Sequence, residues 1–180
     1  MLRGGKVGLR ARHEDDYPVL RDEMYNDVVH SSRSSTNPWR PIPVGAKDPR
    51  LEAEGKDDSI VPFAVVDLTD DSLLGTASVW GIDRHNRCAH LGIGLRPAAR
   101  GKGFGTDAVA LLCHYGFVVR GLRRLQLETL ADNTAMLRAA ERNGFVREGV
   151  LRANAYVLGE ILDEVVLGLL ADEWPQPPPA

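Results

Sequence analysis

Three glycines alternate with basic and aromatic residues in the segment Arg100-Gly101-Lys102-Gly103-Phe104-Gly105. Glycine lets a backbone approach a ligand closely, and successive N–H groups of such a loop can converge on an anion. The turn former Pro97 precedes the segment, and a helical pattern begins near Gly105, where a helix N-terminus adds partial positive charge. This order predicts a pyrophosphate site with Arg100 and Lys102 at its rim; a solvated glycine turn is the alternative.

Two titratable side chains are predicted on neighbouring strands close to this loop. His90 shares one strand face with Gly92 and Gly94, so open space adjoins its ring. Histidine titrates near neutral pH and can take a proton from an ammonium group, and Glu128 is a second candidate base. The alternatives are a substrate contact or simple packing for His90 and a solvated carboxylate for Glu128.

The cysteines and histidines do not indicate covalent or metal chemistry. Cys88 and Cys113 stand outside any CxxC pattern, and no histidine pair has the spacing of metal ligands. We expect two buried thiols, no disulfide and no metal. No nucleophile is recognisable in a motif, so these residues do not indicate a covalent enzyme intermediate.

Seven strands and three helices are predicted to position these residues. Alternating apolar residues mark the strands at 6–12, 62–68, 73–82, 88–95, 124–130, 146–156 and 161–169. Apolar residues at helical spacing mark helices that begin at Asp15 or Asp16, near 105 and near 132. A long connection over 31–59, with a short helix near 51–53, follows the first helix. The pattern predicts one α+β domain over 1–174 and a flexible proline-rich tail over 175–180.

The charge balance and the apolar pattern limit the partners of the chain. A formal net charge of -3 over 180 residues gives no broad attraction to nucleic acid or anionic lipid. No stretch approaches the length of a membrane span, and the N-terminus lacks the apolar run of a signal peptide. We therefore expect a cytoplasmic protein without nucleic-acid or membrane partners.

The ordered motifs resemble the GNAT superfamily of N-acetyltransferases. Residues 100–105 match the Q/R-x-x-G-x-G/A loop of that family, and Asn133 with Gly144-Phe145 matches its downstream helix and closing Gly-Phe pair. The similarity covers about 6–174 and implies the GNAT fold, a central, mostly antiparallel mixed sheet with helices on both faces.

The end of the chain narrows this resemblance to one branch of the superfamily. Gly149, Gly159, Asp163 and the run 165–174 are most similar to the ribosomal-protein N-terminal alanine and serine acetyltransferases. The resemblance implies transfer of an acetyl group from acetyl-CoA to a primary amine in a ternary complex. The acceptor, a protein N-terminus or a small molecule, and the length of the acyl chain stay open, as does a homodimer.

The resemblance also implies roles for individual residues. Leu95, two residues before Pro97, lies along the pantetheine arm near the β-bulge of the family and offers its N–H to the thioester carbonyl. Asn133 bonds the pantetheine or the loop, with a plain helix cap as the alternative, and Trp39 either walls the acceptor site or anchors its loop. Backbone amides hold the pyrophosphate in the run Arg100, Gly101, Lys102, Gly103, Phe104, Gly105 and Thr106.

Two positions depart from the pattern of the family. A tyrosine often stands seven residues after the asparagine, where this chain has Ala140, and the related branch often has a serine where this chain has Met136. No general acid can therefore be assigned by matching. The departure also leaves open a second function on the same fold, a binding protein that senses acyl-CoA without transfer.

A dinucleotide-dependent enzyme is the remaining alternative. Residues 103–108 also fit the G-x-G-x-x-A fingerprint, and Glu128 follows about 20 residues later, where a ribose-binding acid would stand. Such a fold requires repeated βαβ units, whereas short turns join the strands that precede this loop. The spacing of the strands therefore favours the acetyltransferase.

Overall fold

The computed structural model describes residues 1–45 and 58–175 and contains an eight-stranded sheet. Its strands are β1 Leu2–Arg3, β2 Val7–Arg10, β3 Ile60–Asp67, β4 Leu73–Asp83, β5 Cys88–Leu95, β6 Arg124–Leu130, β7 Val146–Val157 and β8 Glu160–Leu170. The strand order is β1-β2-β3-β4-β5-β6-β8-β7, and only β5 and β6 pair in parallel. The predicted, mostly antiparallel mixed sheet is confirmed, with the two-residue β1 added at one edge.

Four α-helices accompany the sheet in the described ranges. They are α1 Asp16–Leu20, α2 Val28–Ser34, α3 Phe104–His114 and α4 Thr134–Arg142. Wider π-helical turns extend two of them, α1 over Arg21–Tyr25 and α3 over Tyr115–Val119. The predicted helices near 105 and 132 are confirmed.

The prediction of an irregular connection beginning at residue 31 was wrong over its first four residues. Residues 31–34 belong to α2, which begins after Asp27 because the Asp27 carboxylate accepts a hydrogen bond from the His30 N–H at 2.7 Å. Such side-chain caps satisfy an N–H group that the first helical turn leaves free. The short helix expected near 51–53 lies outside the described residues.

The helices cover opposite faces of β5. A Cβ added at Gly94 would lie 2.7 Å from Met24 Cε, next to α1, whereas one added at Gly105 of α3 would lie 3.7 Å from Leu95 Cδ1. Because successive side chains of a strand point to opposite faces, Gly94 and Leu95 report on the two sides of the sheet. The predicted placement of helices on both faces is therefore confirmed.

The main apolar core lies between the sheet and α3. Val109 and Leu112 of α3 are fully buried, as are Leu125 of β6 and Leu167 of β8. Trp174 closes this core, with 7% of its surface exposed and its ring 5.4 Å from that of Phe117. No helix within the described residues is both long and apolar enough to cross a membrane.

Candidate active site

The sheet splits between β5 and β6. These strands pair at three positions only, Cys88 with Arg124, Ala89 with Leu125 and His90 with Gln126. From residue 91 onward no strand among the described residues pairs with β5 on this side, while β6 stays paired with β8. The strands therefore diverge, and the gap between them joins two cavities that share Ile93, Asn133 and Met136 on their walls.

The backbone of Leu95 faces this gap. The Arg96 N–H donates to the Leu74 carbonyl of β4 at 2.9 Å. Successive residues of an antiparallel strand direct their backbone groups to opposite sides, so the N–H and carbonyl of Leu95 point away from β4. The Leu95 carbonyl indeed accepts a hydrogen bond from Arg100 Nε at 3.0 Å.

The β-bulge expected near Leu95 is not part of the pairing between β4 and β5. The register is regular from the Gly75–Leu95 pair to the Trp80–His90 pair, and its shift lies between Trp80 and Asp83. The shift nearest to Leu95 lies instead between β3 and β4, where Val65 pairs with Gly75 and Val66 with Leu73, and Gly75 is the residue of β4 that pairs with Leu95. The outward direction of the Leu95 backbone follows from ordinary strand alternation next to a gap.

The first cavity has a volume of about 460 Å³ and lies at the end of β5, beside the glycine loop. Of the residues predicted to bind acetyl-CoA, four line it: Leu95, Arg100, Gly105 and Asn133. The other five lie along the loop outside this lining: Gly101, Lys102, Gly103, Phe104 and Thr106. Four side chains from α2 also line it: Val29, His30, Arg33 and Ser34.

Two glycines of the glycine loop have a left-handed backbone conformation. Gly101 and Gly103 have φ values of 75° and 86°, a left-handed region that side chains with a Cβ disfavour. Gly103 is the N-cap of α3, so the loop leads into the positive end of that helix. Consecutive N–H groups in such a turn form a concave surface for phosphate oxygens.

Asp107 anchors the loop, a role that sequence reasoning missed. Its carboxylate accepts hydrogen bonds from three backbone N–H groups, those of Gly5 at 3.2 Å, Lys6 at 2.7 Å and Val7 at 2.9 Å. Lys6 Nζ in turn donates to the Lys102 carbonyl at 3.2 Å. The turn before β2 is thereby tied to the first turn of α3, although about 100 residues separate them in the chain.

Asn143 provides a second anchor that the sequence did not reveal. The buried Asn143 Nδ2 donates to the Thr106 carbonyl at 3.0 Å and to the Ala139 carbonyl at 2.8 Å. These bonds join the end of α4 to the start of α3. A possible signal was the Asn143-Gly144 pair, a frequent helix ending, whose asparagine the motif match did not use.

The second cavity is larger, about 1230 Å³, and opens on the other side of the gap. The carboxylates of Glu128 and Glu164 lie on its wall, together with the aromatic rings of Trp39, Trp80 and Tyr156. Trp39 also anchors its loop, because its Nε1 donates to the Tyr25 carbonyl at 3.2 Å. The Trp39 side chain thus both lines this cavity and holds its loop, and its contact with an acceptor stays a prediction. Carboxylates and aromatic faces together suit a cationic group.

Glu128 carries the most constrained carboxylate of this cavity. It lies between His90 Nδ1, 3.0 Å from Glu128 Oε1, and Gln126 Nε2, 2.5 Å from the same oxygen. Burial alone raises the pKa of Glu128, but the hydrogen bonds from His90 and Gln126 outweigh it and hold that pKa below its ordinary value. The carboxylate is therefore ionised at neutral pH, at the wall of a partly apolar cavity.

The two candidate bases are in direct contact, which sequence analysis did not anticipate. The His90 ring is stacked on Trp80 with 4.4 Å between ring centroids, and its Nδ1 is bonded to Glu128. The Cδ2 edge of the ring lies beside Gly81, 3.1 Å from the position of a Cβ there. Glu128 lines the second cavity and His90 does not, so the carboxylate stands between the imidazole and that cavity.

The Asn133 side chain forms hydrogen bonds with the backbone of α4 and with a side chain of β6. Its Oδ1 accepts from the Met136 N–H at 3.3 Å and caps α4, while its Nδ2 donates to Thr129 Oγ1 at 3.0 Å. Met136 lies where the two cavities meet, and Ala140 is fully buried. Cys113 is also buried, which raises the pKa of its thiol to about 12 and makes it unreactive as a nucleophile.

The fold and the glycine loop together place the chain in the GNAT class of proteins. Residues 6–146 match the family described as "Acetyltransferase (GNAT) domain", and the chain belongs to that family.

Individual proteins extend this finding. The chain is 35% identical over 109 residues to the "Probable N-acetyltransferase YjcK" of Bacillus subtilis, covering 60% of each chain. It is 33% identical over 98 residues to the "Ribosomal-protein-serine acetyltransferase" of Escherichia coli, covering 54% of each. These matches span less than two thirds of the relatives' own length. The fold also resembles the spermidine N-acetyltransferase of Vibrio cholerae solved with CoA and spermine, with a TM-score of 0.78 at 22% identity over 93% of this chain and 96% of that one.

Proposed function

We propose that the protein transfers an acetyl group from acetyl-CoA to a primary amine. The observation that carries the proposal is the pair of cavities that meet in the gap beside β5. A glycine loop borders one of them, and an ionised carboxylate lines the other. Family membership and the acetyltransferase names of the relatives support the same reaction.

The residues of the first cavity fit coenzyme A. Left-handed Gly101 and Gly103, followed by the N-terminus of α3, suit the pyrophosphate. The apolar side chains of Ile93 and Met136 suit the pantetheine arm, and the Leu95 N–H faces the gap along which that arm would run. The bound cosubstrate supplies the activated acyl group; the side chains of the protein only position and polarise it.

Glu128 acts on the amine in this proposal. Its negative charge attracts a cationic acceptor, and it takes a proton from the nitrogen as the new C–N bond makes that proton acidic. Hydrogen bonds from His90 and Gln126 fix the carboxylate without neutralising it. His90 is therefore a positioning residue in this account, and the rings of Trp39 and Trp80 shape the space around the acceptor.

The experiment compares Glu128→Gln with the matched variant Glu148→Gln. Glu148 is also an ion-paired glutamate, bonded to Arg124, but it lines neither cavity. We expect Glu128→Gln to lower kcat/KM by about 10²- to 10⁴-fold, the usual contribution of a general base. Glu148→Gln should keep the wild-type value. Equal rates for the two glutamine variants would exclude Glu128 as the base.

His90 is tested by the rescue that a positioning role predicts. His90→Ala removes a donor to Glu128, whereas the amide nitrogen of His90→Asn lies close to the place of Nδ1 and can restore the bond. We expect the alanine variant to lose about 10-fold or more in kcat/KM and the asparagine variant to recover most of the loss. Equal losses in both variants would instead make His90 itself the base.

We further propose that the acceptor is a small cationic amine of the polyamine type. A cavity of about 1230 Å³ with two carboxylates, Glu128 and Glu164, offers more than one site for an ammonium group. The structural neighbour from Vibrio cholerae, solved with spermine, agrees with this class. Steady-state rates with spermidine, and with peptides that begin with alanine or serine, test the choice; a higher kcat/KM for the peptides would contradict it.

A further inference from the structure

His30 is a histidine of α2 that the proposed mechanism leaves unused. It lines the first cavity, and its ring Nδ1 lies 3.0 Å from a terminal nitrogen of Arg100. A guanidinium has hydrogen-bond donors only, so Nδ1 must accept this bond. The single proton of the neutral ring is therefore on Nε2, the nitrogen that points away from Arg100.

The surroundings keep this ring neutral. Burial is the main cause that lowers the pKa of His30, and the positive charge of Arg100 lowers it further, while Asp27 opposes both. A protonated ring would also lose the bond to Arg100, because both nitrogens would then be donors. His30 thus presents one fixed N–H donor to the cavity near neutral pH.

That donor lies above the strand at the edge of the gap. His30 Nε2 is 3.6 Å from the position that a Cβ on Gly94 would occupy and Met24 Cε is 2.7 Å from it, so the absence of a side chain there lets the ring approach the strand backbone. The next peptide unit carries the Leu95 N–H, which faces the gap. Ile93, on the other side of Gly94, lines both cavities. Two N–H donors from different elements therefore border the place where an acyl group and an amine meet.

We propose that His30 Nε2–H is a catalytic hydrogen-bond donor to the acyl carbonyl oxygen, acting together with the Leu95 N–H. This inference rests on the proposed acetyl transfer. The amine forms a C–N bond to the acyl carbon, and the carbonyl electron pair moves onto the oxygen, where the two donors stabilise the charge. As the pair returns to the carbonyl, the C–S bond breaks and the thiolate leaves. The Nε2 proton stays on His30 throughout, and Glu128 removes the proton of the amine.

Kinetics of three variants test this role. His30→Ala should lower kcat by about 10²- to 10³-fold, the effect of removing one such donor, with the Kd for CoA changed less than about threefold. The amide nitrogen of His30→Gln can occupy the position of Nε2, so this variant should recover part of the rate. His85→Ala, the same substitution in the exposed turn between β4 and β5, serves as the control and should match the wild type.

Two results would overturn the proposal. A Kd for CoA that rises in step with the loss of kcat/KM would make His30 a binding contact only. The second test needs no turnover: ¹⁵N NMR of histidine-labelled protein should find the His30 proton on Nε2 at neutral pH, and a proton on Nδ1 would refute the geometry. If the wild type acetylates no amine while the NMR result holds, the proposed reaction fails and the catalytic role of His30 fails with it, whereas the position of the proton on Nε2 stands.

Discussion

The conformation of Gly103 allows a sharp prediction about the glycine loop. With φ at 86°, a valine at this position must adopt the left-handed region, which costs about 1–2 kcal/mol for a residue with a Cβ and more for a branched one. The penalty is conformational, because among the described residues beyond its chain neighbours only Lys6 Nζ, the end of a flexible side chain, lies within 4 Å of the added Cβ, at 3.3 Å. Relief of this strain would turn the peptide units of the loop away from the anion.

Gly121 provides the matched control. It also has a positive φ, 62°, and a Cβ added there meets nothing within 4 Å, but it lies in the turn before β6 and lines neither cavity. Gly103→Val and Gly121→Val should each lower Tm by several degrees, since about 1 kcal/mol corresponds to about 2–4 °C in a chain of this size. Only Gly103→Val should also lose affinity for CoA.

Thermal unfolding with and without CoA separates the two effects. At a CoA concentration 100 times Kd, binding stabilises the wild type by about 2.7 kcal/mol, whereas a 100-fold weaker variant gains only about 0.4 kcal/mol. We therefore expect a CoA-dependent rise in Tm for the wild type and for Gly121→Val, and almost none for Gly103→Val. An equal rise in all three proteins would refute the assignment of the loop to the pyrophosphate.

Three further predictions concern stability. Asp107→Ala should lower the free energy of unfolding in urea by about 2 kcal/mol. This loss is smaller than the sum of three charge-assisted hydrogen bonds, because water can bind two of the N–H groups that the substitution frees. An unchanged free energy of unfolding would contradict the role of Asp107 as an anchor. The pKa of His30 is lowered in the folded protein, so the unfolded chain binds a proton at a higher pH, and stability falls as the pH drops below about 6.5. His30→Gln should make this fall in stability less steep. An unchanged dependence of stability on pH would contradict the prediction. Trp174→Ala should cost about 3–5 kcal/mol in the same urea titration, and less than 1 kcal/mol would exclude its role in the core.

Local patterns sufficed to predict most of the fold. Alternation placed β5 and β6 correctly, and the Leu158-Gly159 turn between β7 and β8 is confirmed by positive φ values of 49° and 95°. The position of the glycine loop could also be predicted from the sequence, because the conformation of such a loop depends on residues that are neighbours in the chain. The beginning of α2 was missed since Asp27 lies within a run that also reads as the end of the first helix.

Contacts between distant segments could not be predicted in this way. His90 and Glu128 were each identified from its own strand, but their hydrogen bond depends on the parallel register of β5 with β6, which no local pattern specifies. The same holds for Asp107, whose three partners lie about 100 residues earlier. Hydrogen bonds between side chains and segments that are distant in the chain are therefore known from the structure and not from the sequence.

Identification of the reaction products tests the central claim most directly. Purified protein is incubated with acetyl-CoA and a mixture of polyamines and short peptides, and both free CoA and acetylated products are quantified by mass spectrometry. An acetylated amine and free CoA should appear in equal amounts with the wild type and at strongly reduced rates with Glu128→Gln. Tight binding of acetyl-CoA without any acetylated product would contradict this claim and would favour an acyl-CoA sensor on the same fold.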